Sequence, residues 1–166
     1  MTLRLGVLVS GRGTNLQALL DASAAGRLDA RVVLVVANRA GIPALERAER
    51  AGVPTRTFVA GDHGGREPAQ RAMAEALVAA RCGLVVLAGF DQVLADGFFA
   101  ALGGIPVINV HPALLPAFGG VGTIDGGEIL LQRRVPVLSG DDVASLAERV
   151  LAEEHAALVE AVRQLE

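Results

Sequence analysis

The chain contains no lysine, no tryptophan and no tyrosine, and only one cysteine in 166 residues. Each absence removes a class of function. Without lysine there is no Gly-Lys-Ser/Thr phosphate loop. With aromatics at 3% there is no platform on which bases could stack. A lone Cys82 excludes an internal disulfide and fits a reducing compartment. It sits between a helical pattern and an apolar strand, where a buried packing role suits it better than reactivity. A net charge of -3 gives no general attraction to nucleic acid or to an anionic membrane. No apolar run approaches the roughly 18 residues a membrane helix needs. The N-terminal run Leu5 to Val9 breaks at Ser10-Gly11, short of a signal peptide's apolar region of about 7–15 residues. These limits predict a cytoplasmic protein.

What is present is a strongly apolar chain, 52% hydrophobic, long enough to bury a substantial core. Strand and helix patterns alternate. Leu3–Val9, Val32–Val36, Thr55–Phe58, Leu84–Leu87 and Pro106–Val110 read as strands, and the near-continuous apolar runs suit strands buried on both faces. Leu16, Leu19 and Leu20 carry the i, i+3, i+4 spacing of a helix that stops near Gly26. Pro43–Ala51, Glu67–Arg81 and Asp91–Leu102 read as further helices. Ile129–Leu138 is expected to be a later strand. Asp141 or Asp142 is expected to cap a final helix with an apolar stripe through Val143, Leu146, Val150, Ala157 and Val162. The alternation predicts an α/β, Rossmann-like architecture with a doubly wound, mostly parallel sheet. Pro112 to Glu128 fits poorly: it is rich in proline and glycine and has the length of a crossover without a helical period. Either the next strand is antiparallel or residues are missing.

Several motifs carry chemistry. Ser10-Gly11-Arg12-Gly13-Thr14-Asn15 joins the first strand to the first helix. Glycines there let a ligand approach the backbone, and helix N-terminal amides favour an anion. An ordinary capped turn would look similar. A dinucleotide is disfavoured, because position 16 is Leu16 and the second strand ends in Ala37-Asn38 without an acidic residue. Arg66, after Gly64-Gly65, could reach the same anion or simply be solvated. Asn109 and His111, two residues apart at a strand's carboxyl end, are expected to share a face. An amide and an imidazole there could stabilise an oxyanion and move a proton, although either could be structural. Asp125, before Gly126-Gly127, could orient that imidazole or only form a turn. Glu153-Glu154-His155 lies in the last helix, where a solvated face is the plain alternative. His63, His111 and His155 lack close ligand spacing, so no metal site is expected. Without a Gly-x-Ser-x-Gly elbow or a placed cysteine, direct transfer between two bound substrates fits better than a covalent intermediate.

Taken in order, Val7 to Ala18, Val86-Leu87-Ala88-Gly89-Phe90, Ile108 to Pro116, Asp125-Gly126-Gly127 with Ile129 to Gln132, and Arg149-Val150 with Glu154-His155 resemble the folate-dependent phosphoribosylglycinamide formyltransferases. The resemblance covers nearly the whole chain and implies one formyltransferase domain over residues 1–166. The N-terminal half would bind the phosphate substrate, and the C-terminal half would supply folate and catalytic residues. It implies that Gly13, Thr14 and Asn15 hold the phosphate of glycinamide ribonucleotide with help from Arg66, and that Glu154 meets the ribose. Phe90, Gln92, Val93 and Leu94 would line the folate pocket. Asn109, His111 and Asp125 would be the catalytic set. The co-substrate would be 10-formyltetrahydrofolate, with no metal, no nucleic acid and no membrane partner. The oligomeric state stays open, a homodimer included.

Three departures from the family pattern stand out. Asp91-Gln92 replaces the usual Met-Arg. Gly119-Gly120 replaces Pro-Gly. The family's helix and following strand between the catalytic strand and the aspartate loop have no counterpart, which predicts a missing segment between Gly120 and Val121. The rival readings are a formyltetrahydrofolate hydrolase, a formyltransferase with another amine acceptor, and a non-catalytic sugar-phosphate-binding module.

Overall fold

The computed structural model describes residues 1–112 and 127–166. Among them, five strands form one parallel sheet: β1 (Leu3–Val9), β2 (Ala30–Ala37), β3 (Thr55–Thr57), β4 (Leu84–Leu87) and β5 (Val107–Asn109), in the order β3-β2-β1-β4-β5. The helices are α1 (Thr14–Ala24), α2 (Pro43–Arg50), α3 (Arg66–Ala79), α4 (Asp96–Leu102) and α5 (Val143–Arg163), with a short 3-10 turn at Ala60–His63. The chain winds outward from β1 in one direction through β2 and β3, and in the other through β4 and β5. The order therefore reverses between β1 and β4, and a crevice opens beyond their carboxyl ends.

The central strands are largely apolar because both sheet faces are covered. Leu5, Val7 and Val9 of β1 join Val35, Leu84 and Val86 on the face packed by α1 and α5. Leu8, Leu34, Val36 and Val85 point the other way, against Met73 and Leu77 of α3 and Phe98 and Leu102 of α4. Each such side chain taken fully out of water contributes about 1.5–3 kcal/mol. Gly6 serves close packing: a Cβ there would lie 2.3 Å from Leu77 Cδ2 and 2.8 Å from Cys82 Sγ. The β1–β2 register also shifts at Leu5/Gly6. Burial pushes the Cys82 thiol up to about 11, against a smaller opposing pull from Arg4, as befits a packing residue.

Four expectations need correction. The helix expected from Asp91 begins at Asp96, because side-chain hydrogen bonds hold residues 91–95 in a non-helical path. The expected strand Ile129–Leu138 has no regular secondary structure. No strand pairs with it among the described residues, and Pro136 lacks an N–H. The segment rests instead on α5, through Arg133 to Glu153 and Glu160 and through Arg149 Nη1 donating to the Pro136 carbonyl at 2.7 Å. The strand β5 is only partly buried, since among the described residues it has a partner on one side alone. The apolar stripe of α5 is buried at Leu158, Val159 and Val162, whereas Val143 is 88% exposed. The helix cap is as expected: Asp142 accepts from the Ser145 backbone at 2.8 Å, and the Asp142 N–H donates to Ser145 Oγ at 3.0 Å.

Candidate active site at the sheet switch point

The glycine turn after β1 forms one wall of the crevice. Gly13 is in the left-handed conformation (φ 73°) and caps α1 without using a side chain. A Cβ at Gly13 would lie 2.7 Å from the Ala44 Cβ and 2.8 Å from its Cα. Glycine is therefore required twice, for the backbone angle and for the approach of α2. From α2, Arg47 Nε donates to the Arg12 carbonyl at 2.8 Å and Nη1 to Gln17 Oε1 at 3.2 Å. The Ala44 N–H donates to the Gly11 carbonyl at 3.1 Å. The turn is thus held from behind, leaving the first-turn amides of α1 to face a ligand, with Thr14 at the first helical position. Arg66 stands exposed at the first position of α3 and makes no hydrogen bond or ion pair with the described residues.

The other wall is Gly89 to Ala95, after β4. The Ser10 N–H donates to the Gly89 carbonyl at 3.2 Å, and the Asp91 N–H donates to Ser10 Oγ at 3.0 Å. Asn38 Nδ2 donates to Asp91 Oδ1 at 2.7 Å, and Arg39 pairs with Asp91 Oδ2. Burial raises the Asp91 carboxyl, but the hydrogen bonds from Asn38 and Ser10 and the Arg39 charge outweigh it and hold the group below its usual range. Asp91 thus knots together the ends of β1, β2 and β4. Phe90 and Leu94 pack partly buried on the core, Gln92 is half-buried, and Val93 is exposed.

The strand β5 ends at Asn109, so His111 lies two residues beyond it, outside the ladder. Asn109 is exposed and His111 half-buried, and both make interactions. The last helix packs along α1 and brings Glu154 of α5 into the electrostatic neighbourhood of Asn15 and His111. Burial raises the Glu154 carboxyl above its ordinary value, and Asn15 and His111 offset part of that rise. Asn15 is itself buried, and its Oδ1 has no hydrogen-bond partner among the described residues. Such an acceptor is costly to bury unless a ligand donor meets it. The structure thereby brings together Asn15, His111 and Glu154, which are far apart in the chain. Asp125 and the junction at Gly120–Val121 lie outside the described residues. Beside this site, a groove of about 630 Å³ between α1 and α5 runs from Thr14 past Arg47 and Arg133 to His155 and Glu160.

Motif reading alone misses Gln70, Arg47 and the Asp91 knot. Gln70 did leave a signal: it is a polar residue on the same helical stripe as Met73, Ala74 and Leu77.

Fold and site define the class: a doubly wound α/β protein with a crevice at the switch point, a glycine turn on one side, and an amide at the end of β5 with an imidazole two residues beyond it. The model of the formyl transferase family matches residues 3–124. The chain is 34% identical to the phosphoribosylglycinamide formyltransferase of Escherichia coli K12, over 90% of this chain and 81% of that one. It belongs to the formyl transferase family, on the phosphoribosylglycinamide formyltransferase branch. The trifunctional purine biosynthetic protein adenosine-3 of Gallus gallus is 36% identical over 96% of this chain, which spans only 18% of that protein's length. Among solved structures, glycinamide ribonucleotide transformylase 1 from Symbiobacterium toebii superposes with a TM-score of 0.88 at 38% identity, covering 99% of this chain and 87% of that one. The corresponding enzyme from Geobacillus kaustophilus gives 0.90 at 31%, covering 99% of both chains.

Proposed function

We propose that this protein transfers the formyl group of 10-formyltetrahydrofolate to the amine of glycinamide ribonucleotide, a step of purine biosynthesis, as a single domain in the cytoplasm. The observation that carries the proposal is the buried Asn15 beside the left-handed Gly13 turn at the switch point of the sheet, its Oδ1 without a hydrogen-bond partner among the described residues. It supports a reading in which the turn takes the phosphate, Glu154 the ribose hydroxyls and His111 the proton transfer. Gly13, Thr14 and Asn15 bind the phosphate, with Arg66 adding its charge from the same sheet edge. Phe90, Gln92, Val93 and Leu94 line the folate side.

The amine nitrogen attacks the formyl carbon and a new C–N bond forms. Asn109 and His111 stabilise the oxyanion of the tetrahedral intermediate. Collapse breaks the bond to the folate nitrogen. His111, with Asp125, carries the proton lost by the amine to that departing nitrogen. Two substrates held in one crevice supply the proximity that a covalent intermediate would otherwise provide. The alignment with the Gallus gallus relative runs over 182 positions, more than the 166 residues of this chain. That length supports a segment present in relatives and absent here between Gly120 and Val121.

The test is formyl transfer by the purified protein, with and without glycinamide ribonucleotide, read from the absorbance of the folate product. Product is expected only when the ribonucleotide is present. Release of formate without it would make the protein a hydrolase, and no turnover alongside ribonucleotide binding would make it a binding module. His111→Ala should cut turnover by about 10²–10⁴-fold with ribonucleotide affinity retained. Equal loss of both would remove His111 from the chemistry.

A further inference from the structure

Gln70 lies on α3, and its side chain is fully buried in the apolar layer between that helix and the sheet. An amide there is costly unless its donors and acceptor are satisfied. All three of its hydrogen bonds go to one short segment. Nε2 donates to the Val93 carbonyl at 2.9 Å and to Gln92 Oε1 at 3.2 Å, and Oε1 accepts from the Ala95 N–H at 2.8 Å. Ala95 is the N-cap of α4, so the third bond also sets where that helix begins. The segment between β4 and α4 is therefore held from inside the core, by a side chain distant in sequence. Asp91 is held from the strand ends, and the residues after it are held by Gln70.

We infer that Gln70 is the positioning residue for the folate side of the crevice: it fixes the backbone of Gln92–Ala95 in the shape that receives the formyl donor, without touching the reacting atoms. This rests on the proposed assignment of Phe90 to Leu94 to the folate pocket. It adds that affinity for the donor is set by a buried amide on α3. The Gly13 wall is braced separately, by Arg47 and Ala44. A defect at Gln70 should therefore show up in one substrate only.

Gln70→Met keeps the length and burial of the side chain and removes every hydrogen bond. The KM for 10-formyltetrahydrofolate should rise about tenfold, as expected for loss of buried hydrogen bonds. The KM for glycinamide ribonucleotide and kcat should stay within about twofold. Hydrogen exchange at the Ala95 amide should speed up in the free protein. Gln70→Glu keeps the acceptor for Ala95 and should fall between wild type and Gln70→Met in both readouts. An unchanged folate KM in Gln70→Met, or a parallel loss for both substrates, overturns the inference. A wild-type protein that uses no formyl-folate would overturn the functional proposal first and this inference with it, and the wild-type assay alone reveals that case.

Discussion

The two walls of the crevice are built by opposite means. The wall after β1 is made of backbone: Gly13 turns left-handed, α2 approaches within the space a side chain would need, and α1 is capped without a side chain. The wall after β4 is made of side chains: Asp91 knots three strand ends, and Gln70 grips Gln92, Val93 and Ala95 from the core. A backbone site tolerates almost no substitution at its glycine but depends little on which residues surround it. A side-chain site tolerates change at most positions and fails at one or two buried polar groups. The first kind suits an anion met by N–H groups. The second suits a larger ligand read along an irregular strip of chain.

The sharpest way to break the contrast is at Gly13. Gly13→Ala places a Cβ 2.7 Å from that of Ala44 in a left-handed backbone. The conformation alone costs about 1–2 kcal/mol, and displacement of α2 adds to it. Urea unfolding should register a loss above that figure. The KM for glycinamide ribonucleotide should rise far more than the KM for the folate, the reverse of the pattern expected for Gln70→Met. A variant with normal stability and both KM values intact would show that the turn has room to move, and the backbone account of this wall would fail.

How much of this was legible beforehand follows from the same contrast. The strands β1, β2 and β4 and the helix α1 were readable because apolar runs and i, i+3, i+4 spacing report burial directly. The Ser10–Asn15 turn was readable because a backbone site demands glycine at fixed positions. The beginning of α4 was not, because local propensity favoured helix from Asp91 while a tertiary bond from Gln70 captured Ala95. Residues Ile129–Leu138 have a strand's composition, but a strand exists only with a partner, and sequence does not reveal that none of the described strands pairs with them. The Asp91 knot has no motif at all: Ser10, Asn38 and Arg39 meet it only after the sheet has formed. Asn109 and His111 were found as a pair. The approach of Glu154 to Asn15 and His111 required the long helix α5 to fold back over α1.

The carboxylates of α5 and of the wall after β4 differ in how they respond to acid. Glu154, facing Asn15 and His111, has its proton affinity raised chiefly by burial. The folded state therefore favours the protonated form. Its favourable contribution is complete below the ordinary value of 4.5 and is lost as pH climbs through the raised one. Glu154→Gln should remove that loss, flattening the stability profile above pH 4.5 relative to wild type, while weakening ribonucleotide binding through the missing acceptor. Thermal melts across the mildly acidic range check the first expectation and titration calorimetry the second. If the profiles of variant and wild type run parallel, Glu154 is not desolvated in solution and the closure of α5 over Asn15 is looser than drawn.

Asp91 should behave the other way, and more weakly. Burial raises its proton affinity, but Asn38, Ser10 and Arg39 outweigh that, so the folded state favours the ionised form. Its contribution is present above the ordinary 3.8 and disappears as pH falls through the lowered value. Because the Asp91 side chain is 47% exposed, solvent screens the Arg39 pair and the effect is small, within the range of about 0–1 kcal/mol found for surface ion pairs. Asp91→Asn should lose a little stability at neutral pH, and its melting curve should converge on that of wild type as pH falls through the lowered value. The folate KM should move by less than in Gln70→Met, since the backbone bond from Asp91 to Ser10 survives the substitution. A larger folate defect in Asp91→Asn than in Gln70→Met would reverse the ranking within this wall. The knot at the strand ends would then shape the donor side, and the grip from the core would be secondary.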